Sequence, residues 1–234
     1  MNAVTSLLVN ELFGPTFQGE GPSQGRRARL IRLSGCHLAC AWCDTPQTWD
    51  TRRFDLSAER RQCDVADIVD WLTTVPGDLV VITGGEPLLQ RKGLEHLLDH
   101  LRSTGLDDEV EVETSGTIAP GPVLTDAVTR FVVSPKLAHS AQPERKRLRP
   151  DVLRTFAASG KATWKFVAQV PSDLDEVAVL ADRHGLAPVW IMPEGIDGDV
   201  VVQRLRLLAD PVLARGWNPT SRLHILLWGN ARGR

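Results

Sequence analysis

Residues 79–87 read LVVITGGEP, an apolar, β-branched run broken off by two glycines, an acid and a proline. A run of that length bounded by turn formers reads as a buried strand ending in a tight turn. The stretches on either side are helical by spacing. Upstream, Asp64 caps a helix through Ile68, Val69 and Leu72; downstream, Leu94, Leu97, Leu98 and Leu101 fall at i, i+3, i+4 and i+7 and stop before Gly105. Helices with one apolar face on each side of a buried strand are the building unit of a parallel sheet.

The unit recurs outward in both directions. Strands are predicted at 28–33 (ARLIRL), 79–83 (LVVIT), 109–114 (EVEVET), 130–134 (RFVVS), 162–168 (ATWKFVA) and 188–192 (PVWIM). Ser172 opens a helix carrying Leu174, Val177, Ala178 and Leu180 that Gly185 ends, and a last helix covers 198–209. The expected fold class is therefore α/β, a mostly parallel sheet with right-handed crossovers, open or curled into a full or partial barrel. No repeat or linker divides the chain, so a single domain over 1–234 is expected. In such folds ligands bind at the carboxyl ends of the strands. TGGEP, ETSGT and SPK each close one of these strands.

With 42% hydrophobic and 24% charged residues, the chain is neither disordered, collagenous nor coiled coil. No stretch approaches the roughly 20 apolar residues of a membrane span. The start, MNAVTSLLVN, lacks a basic segment and a long apolar run, so a cytoplasmic protein with no membrane partner is expected. Lys and Arg number 27 against 29 Asp and Glu, a net charge of -2, so no global field draws the chain to nucleic acid and no direct nucleic-acid partner is expected. Arg145, Lys146, Arg147 and Arg149 read as a solvated loop.

An irregular loop at about 34–60 holds Cys36, Cys40 and Cys43 in the string GCHLACAWCD. Clustered this tightly in a chain of this size, they are no disulfide framework. Three soft thiolates in one loop can grip a single metal centre. Structural zinc wants four ligands, with His37, Cys63 or Asp44 as the candidates for the fourth. A cubane four-iron cluster held by three thiolates instead leaves one iron open to a further ligand, which points to catalysis. Cys63, in RRQCDVAD, reads as an ordinary thiol.

The spacing Cys-x-x-x-Cys-x-x-Cys, with Trp42 before the third cysteine and GGEP after the next strand, resembles the radical S-adenosylmethionine enzymes. That resemblance implies a [4Fe-4S] cluster on Cys36, Cys40 and Cys43 and S-adenosyl-L-methionine on its open iron. It implies that Trp42, Cys43 and Asp44 lie beside that cofactor and that Glu86 with the Gly84 and Gly85 carbonyls receives its amino group. Thr114 and Ser115 would hold the ribose, Ser134, Pro135 and Lys136 would lie nearby with Lys136 on the carboxylate, and Met192, Pro193, Glu194 and Gly195 would flank the adenine.

More narrowly, FGPTFQGEG (13–21), Arg32, CAWCDT (40–45) and Trp49 resemble the 7-carboxy-7-deazaguanine synthases, and ITGGEP, ETSGT, SPK, WKFV and RLHILLWGN also suit them. The resemblance implies a partial (β/α)6-type radical SAM barrel, usually a homodimer. The implied reaction converts 6-carboxy-5,6,7,8-tetrahydropterin to 7-carboxy-7-deazaguanine with loss of ammonia, on the route to queuosine-type deazapurines, driven by a reductant such as flavodoxin or ferredoxin. Phe17, Gln18, Gly19 and Glu20 would then meet the pterin edge, Arg32 its carboxylate, and Thr83 the substrate at a strand end. Thr45 would bind a Mg2+ ion that also holds the substrate carboxylate.

Each assignment has a plainer reading: Arg32 projecting to solvent, Thr45 a turn hydroxyl, GGEP a turn. Two other functions compete, an activase that takes hydrogen from a partner's glycine and a metal-bearing RNA-binding module. FQGEG with Arg32 argues against the first, and the absence of net positive charge and of a second thiolate pair against the other. Trp71, Trp164, Trp190, Trp217 and Trp228 are expected to pack the core or a subunit interface, and His224 to be structural. Relatives can place a terminal carboxylate near the substrate, but this chain runs on past His224 through LLWGNARGR, and Arg234 is assigned no place in the site.

Overall fold

A computed structural model describes residues 5–105 and 108–234; residues 1–4 of the amino-terminal reading lie outside them. In chain order the strands are β1 (Ser6–Phe17), β2 (Arg27–Leu33), β3 (Arg61–Asp64), β4 (Leu79–Gly84), β5 (Glu109–Thr114), β6 (Arg130–Val133), β7 (Ala162–Ala168), β8 (Val189–Pro193) and β9 (Asn218–Pro219). The helices are α1 (Val65–Thr74), α2 (Arg91–Ser103), α3 (Gly121–Ala127), α4 (Glu144–Arg147), α5 (Pro150–Ala158), α6 (Asp173–His184), α7 (Gly198–Ala214) and α8 (Leu223–Trp228).

All the strands form one sheet in the order β3-β1-β2-β4-β5-β6-β7-β8-β9. From β2 to β9 every pairing is parallel, while β1 runs antiparallel to both β2 and β3. The edges β3 and β9 do not meet, so the sheet curls into a partial barrel and stays open.

Every predicted strand is present within a residue or so of its expected ends. β1 was missed because two irregularities, between Val9 and Glu11 and between Phe13 and Thr16, break its alternation. α1, α2 and α6 start and stop as predicted, although the Asp64 and Ser172 side chains make no capping hydrogen bond. α7 runs past 209 through Pro211 because Leu208 and Val212 stay on its buried side. In the basic stretch Arg145, Lys146 and Arg149 are exposed as expected, but the segment is not simply a loop. It forms α4, and the buried Arg147 donates to the Lys136 carbonyl and to Glu176, each at 2.7 Å.

Strand alternation separates two interiors. Val80 and Ile82 of β4 face the helices and pack in the main core with Leu94, Leu97 and Leu98 of α2. Leu79 and Val81 face the other way and form a small apolar floor with Phe13, Ala28 and Leu30. Thr83, next on that same face, lies where the floor gives way to a cavity. The alternation of EVEVET is resolved the same way. Val110 and Val112 join the helix-side core, while Glu109, Glu111 and Glu113 point inward and find partners in Arg26, Arg130 and Lys165.

Candidate active site

The cavity above that floor occupies about 1260 Å³, its open mouth included, and is rimmed by the carboxyl ends of β2, β4, β5, β6, β7 and β8. One wall is the cysteine loop: Cys36, Cys40 and Cys43 all line it, as do Trp42, Asp44 and Thr45.

All three thiols are free, and the loop that carries them is held closely. The Trp49 indole N–H donates to Cys43 Sγ at 3.3 Å, and the Leu38 amide to Cys36 Sγ at 3.4 Å. The Gly85 Cα has no room for a Cβ, which would sit 2.3 Å from the Gly35 carbonyl oxygen. Glycine at this position is what lets the turn after β4 lie against the cysteine loop. Burial pushes the Cys36 thiol up to about 12, and burial likewise raises Cys40, outweighing the Lys136 ammonium that favours its thiolate.

None of the candidate fourth ligands joins them. The His37 ring is held by the Thr117 hydroxyl at 2.7 Å, Cys63 lies buried on β3, and Asp44 pairs with Arg222. Among the described residues no three His, Cys, Asp or Glu side chains converge on a single-ion site. A cubane needs no such convergence, because each thiolate binds a different iron. The donor set therefore fits a three-thiolate cluster better than structural zinc.

The opposite wall is charged. Glu20, Lys165, Glu113, Arg222 and His224 all line the cavity. Lys165 Nζ donates to Glu20 Oε2 at 2.6 Å and stands 3.6 Å from Glu113 Oε1. Glu113 also accepts from Gln18 Nε2 at 3.2 Å and from the Thr83 hydroxyl at 2.9 Å. Arg222 Nε reaches Glu20 Oε1 at 3.1 Å, and its terminal nitrogen meets Asp44, joining this wall to the cysteine loop.

Burial works against charge on Glu20, but Lys165 and then Arg222 outweigh it and hold the carboxyl well below its usual range. Burial likewise opposes charge on Lys165, and Glu113 and Glu20 reverse it, so the ammonium is held above its ordinary value. Asp44 is lowered, its burial outweighed by Arg222. His224 is lowered, by burial first, against the opposing pull of Glu20. Gly19 packs on this ring so closely that a Cβ would lie 1.9 Å from Nδ1.

All the residues assigned to the substrate line the cavity: Phe17, Gln18, Gly19 and Glu20 after β1, Arg32 on β2, and Thr83 on β4. On the cofactor side Gly85, Thr114, Ser115, Ser134 and Lys136 line it, with Met192 and Glu194 across from them. Lys136 Nζ donates to the Ser134 hydroxyl at 2.9 Å and sits 5.7 Å from the Trp42 ring centre.

Four of the assigned residues lie outside the cavity lining. Glu86 is fully buried beneath the rim, its carboxylate accepting from the Thr114 and Ser115 hydroxyls and the Ser115 and Leu88 amides. Pro135, Pro193 and Gly195 lie in the buried backbone behind the lining, the Gly195 carbonyl accepting from Arg222.

Sequence reasoning missed Glu113, Lys165, Arg222 and Arg234 as lining residues and took His224 as structural. The one available signal was a charged residue inside otherwise apolar strands, as in EVEVET and ATWKFVA. Trp164 packs the core as expected, but Trp228 stacks on the lining residue Phe17 at 6.0 Å, and Arg234 lies over that indole at 5.9 Å.

A partial parallel barrel with three free thiols facing its carboxyl-end cavity defines a one-cluster iron–sulfur enzyme of the radical S-adenosylmethionine type. Residues 17–133 match the family model described as "4Fe-4S single cluster domain". The 7-carboxy-7-deazaguanine synthase of Pyrobaculum aerophilum is 37% identical over 100% of both chains, and that of Hyperthermus butylicus is 35% identical over 95% of this chain and 93% of its own. Among solved structures, QueE from Escherichia coli superposes with a TM-score of 0.71 at 26% identity, covering 94% of this chain and 95% of that one. Streptococcus suis SuiB shares the fold at a TM-score of 0.58 and 13% identity, over 85% of this chain and 49% of its own. The chain belongs to the 7-carboxy-7-deazaguanine synthase family.

Proposed function

We infer that this chain is a radical S-adenosylmethionine lyase that contracts 6-carboxy-5,6,7,8-tetrahydropterin to 7-carboxy-7-deazaguanine with loss of ammonia, in queuosine-type deazapurine synthesis. The observation that carries this reading is one cavity with two chemically distinct walls, thiols on one and a fixed constellation of charges on the other. Cys36, Cys40 and Cys43 would hold the cluster, which with S-adenosyl-L-methionine supplies a carbon radical able to take hydrogen from the substrate. The protein contributes placement, charge and exclusion of water.

Gly85, Thr114, Ser115, Ser134 and Lys136 offer acceptors, hydroxyls and one ammonium for the cofactor's amino, ribose and carboxylate groups. Arg32 offers a fork of donors for the substrate carboxylate. Glu20 and Glu113, with Gln18 and the backbone at Gly19, offer acceptors for the amide and amino edge of the pterin. Thr45, its hydroxyl 3.8 Å from Cys43 Sγ, would take a Mg2+ ion between cluster loop and substrate carboxylate, an ion that commonly uses few protein ligands and keeps its waters.

A low-potential carrier such as flavodoxin or ferredoxin would supply the electron. A homodimer working as single-domain protomers in the cytoplasm suits a chain with free thiols, and no helix among the described residues is long and apolar enough to cross a membrane. The test is anaerobic iron reconstitution followed by dithionite, S-adenosylmethionine and the carboxypterin, with mass spectrometry of the products. Both 5'-deoxyadenosine and 7-carboxy-7-deazaguanine are expected. Deoxyadenosine without the deazaguanine would keep the radical chemistry and remove the substrate.

A further inference from the structure

Glu11 is a buried-side carboxylate that the proposed chemistry leaves unused. It sits on β1 directly opposite Arg32 of β2, one position after the irregularity at Asn10. Directly opposed residues of an antiparallel pair point to the same face, and a bulge beside a site re-aims the side chain that follows it. Glu11 Oε2 accepts from Arg32 Nε at 3.1 Å. Its other oxygen, Oε1, accepts from Arg232 Nε at 2.8 Å, and Arg232 also meets Glu59 Oε2 at 3.0 Å. The two guanidinium groups thus share one carboxylate that is only 16% exposed. The Phe13 ring, 5.5 Å from the Arg32 guanidinium carbon, supports the same guanidinium from beside it.

A guanidinium can grip a carboxylate either through Nε and one terminal nitrogen or through its two terminal nitrogens. With Nε already occupied, only the terminal pair of Arg32 remains for a ligand. We propose that Glu11 is the positioning residue for Arg32, restricting it to end-on recognition of the substrate carboxylate, and that Arg232 of the carboxy-terminal segment fixes Glu11 in turn. The segment after α8 is thereby tied to substrate affinity without touching the substrate. This rests on the assignment of Arg32 to the substrate carboxylate made above.

The sign of one effect separates positioning from simple charge. As a mere nearby negative charge, Glu11 would repel the carboxypterin, and Glu11→Gln would tighten binding. As the group that orients Arg32, its loss weakens binding. The expected result for Glu11→Gln, measured on reconstituted enzyme with S-adenosylmethionine and dithionite, is a KM for 6-carboxytetrahydropterin raised roughly tenfold, on the scale of a lost charge-assisted hydrogen bond, with kcat within about twofold.

Arg232→Ala should raise KM by a smaller factor, and the double variant should be no worse than Glu11→Gln alone, since Arg232 acts only through Glu11. Equilibrium binding of tetrahydropterin lacking the carboxylate should be unchanged in every variant. Tighter or unchanged carboxypterin binding by Glu11→Gln, or additive effects in the double variant, would overturn the proposal. Should Glu11→Gln fail to fold, the half-exposed Arg232 still decides the matter, because an unchanged KM in Arg232→Ala contradicts it. Arg32→Ala run alongside keeps the two readings apart. Loss of turnover there with a normal Glu11→Gln sinks this proposal alone, whereas full turnover in Arg32→Ala removes the underlying assignment as well.

Discussion

The two walls of the cavity are built in opposite ways. The cysteine wall comes from one continuous stretch, Cys36 to Thr45, with its ligands three or four residues apart. The charged wall draws Glu20, Arg32, Thr83, Glu113, Lys165 and Arg222 from separate segments along most of the chain. The first is a local device that a loop supplies on its own, provided a neighbouring turn can approach as closely as Gly85 allows. The second exists only when β1, β2, β4, β5, β7 and the α8 region are all in register. A lesion on the first wall should therefore remove a cofactor, and a lesion on the second should remove a substrate while the cofactor chemistry survives.

The largest expected effect falls on the cysteine wall. Cys40→Ala should abolish both iron incorporation and formation of 5'-deoxyadenosine, read by iron assay and mass spectrometry. A variant that kept its cluster would break the division between the walls. On the charged wall, Lys165→Met removes the cation that Glu20 and Glu113 share and leaves Glu20 to Arg222 alone. With the substrate-facing carboxylates no longer held in place, carboxypterin turnover should fall by about a hundredfold, with the iron content of the reconstituted protein unchanged. Arg32→Ala should abolish deazaguanine formation while uncoupled cleavage of S-adenosylmethionine continues.

The pH dependence is a smaller effect and also lies on the charged wall. The Glu20 carboxyl is held below its ordinary 4.5 in the folded chain. Its contribution to stability is therefore complete above that value and drains away as the pH falls through the lower folded value. Urea midpoints measured from pH 6 down to pH 3 should decline for the wild type and decline less for Glu20→Gln. The smallest effect belongs to Cys63, which packs in the helix-side core beside β1 rather than on either wall. Cys63→Ala should leave iron content unchanged and cost about 1 kcal/mol of stability in the same denaturation experiment.

What was legible follows from how far each signal reaches. Strand alternation, helix spacing and the glycine-marked strand ends are patterns within a dozen residues, and so the parallel sheet and its ligand-bearing rim were readable. Even inside that range the reading failed where the pattern was bent. β1 hides behind its irregularities. Glu113 and Lys165 stood in plain view within strands, but alternation only says that two residues share a face. It does not say whether that face meets solvent or the inside of a barrel.

The sequence by itself determined the local chemistry: three thiols in one loop, a sheet of parallel strands, and a family pattern running through most of the chain. Tertiary structure alone decided which charges meet. Arg222 reaches Asp44 across 178 residues and Arg232 reaches Glu11 across 221, and no pattern in the chain marks either pair. The reason is the curvature of the sheet. It turns one face of every strand toward a common interior, where unpaired charges are costly, and so brings together as partners residues with no sequence relationship.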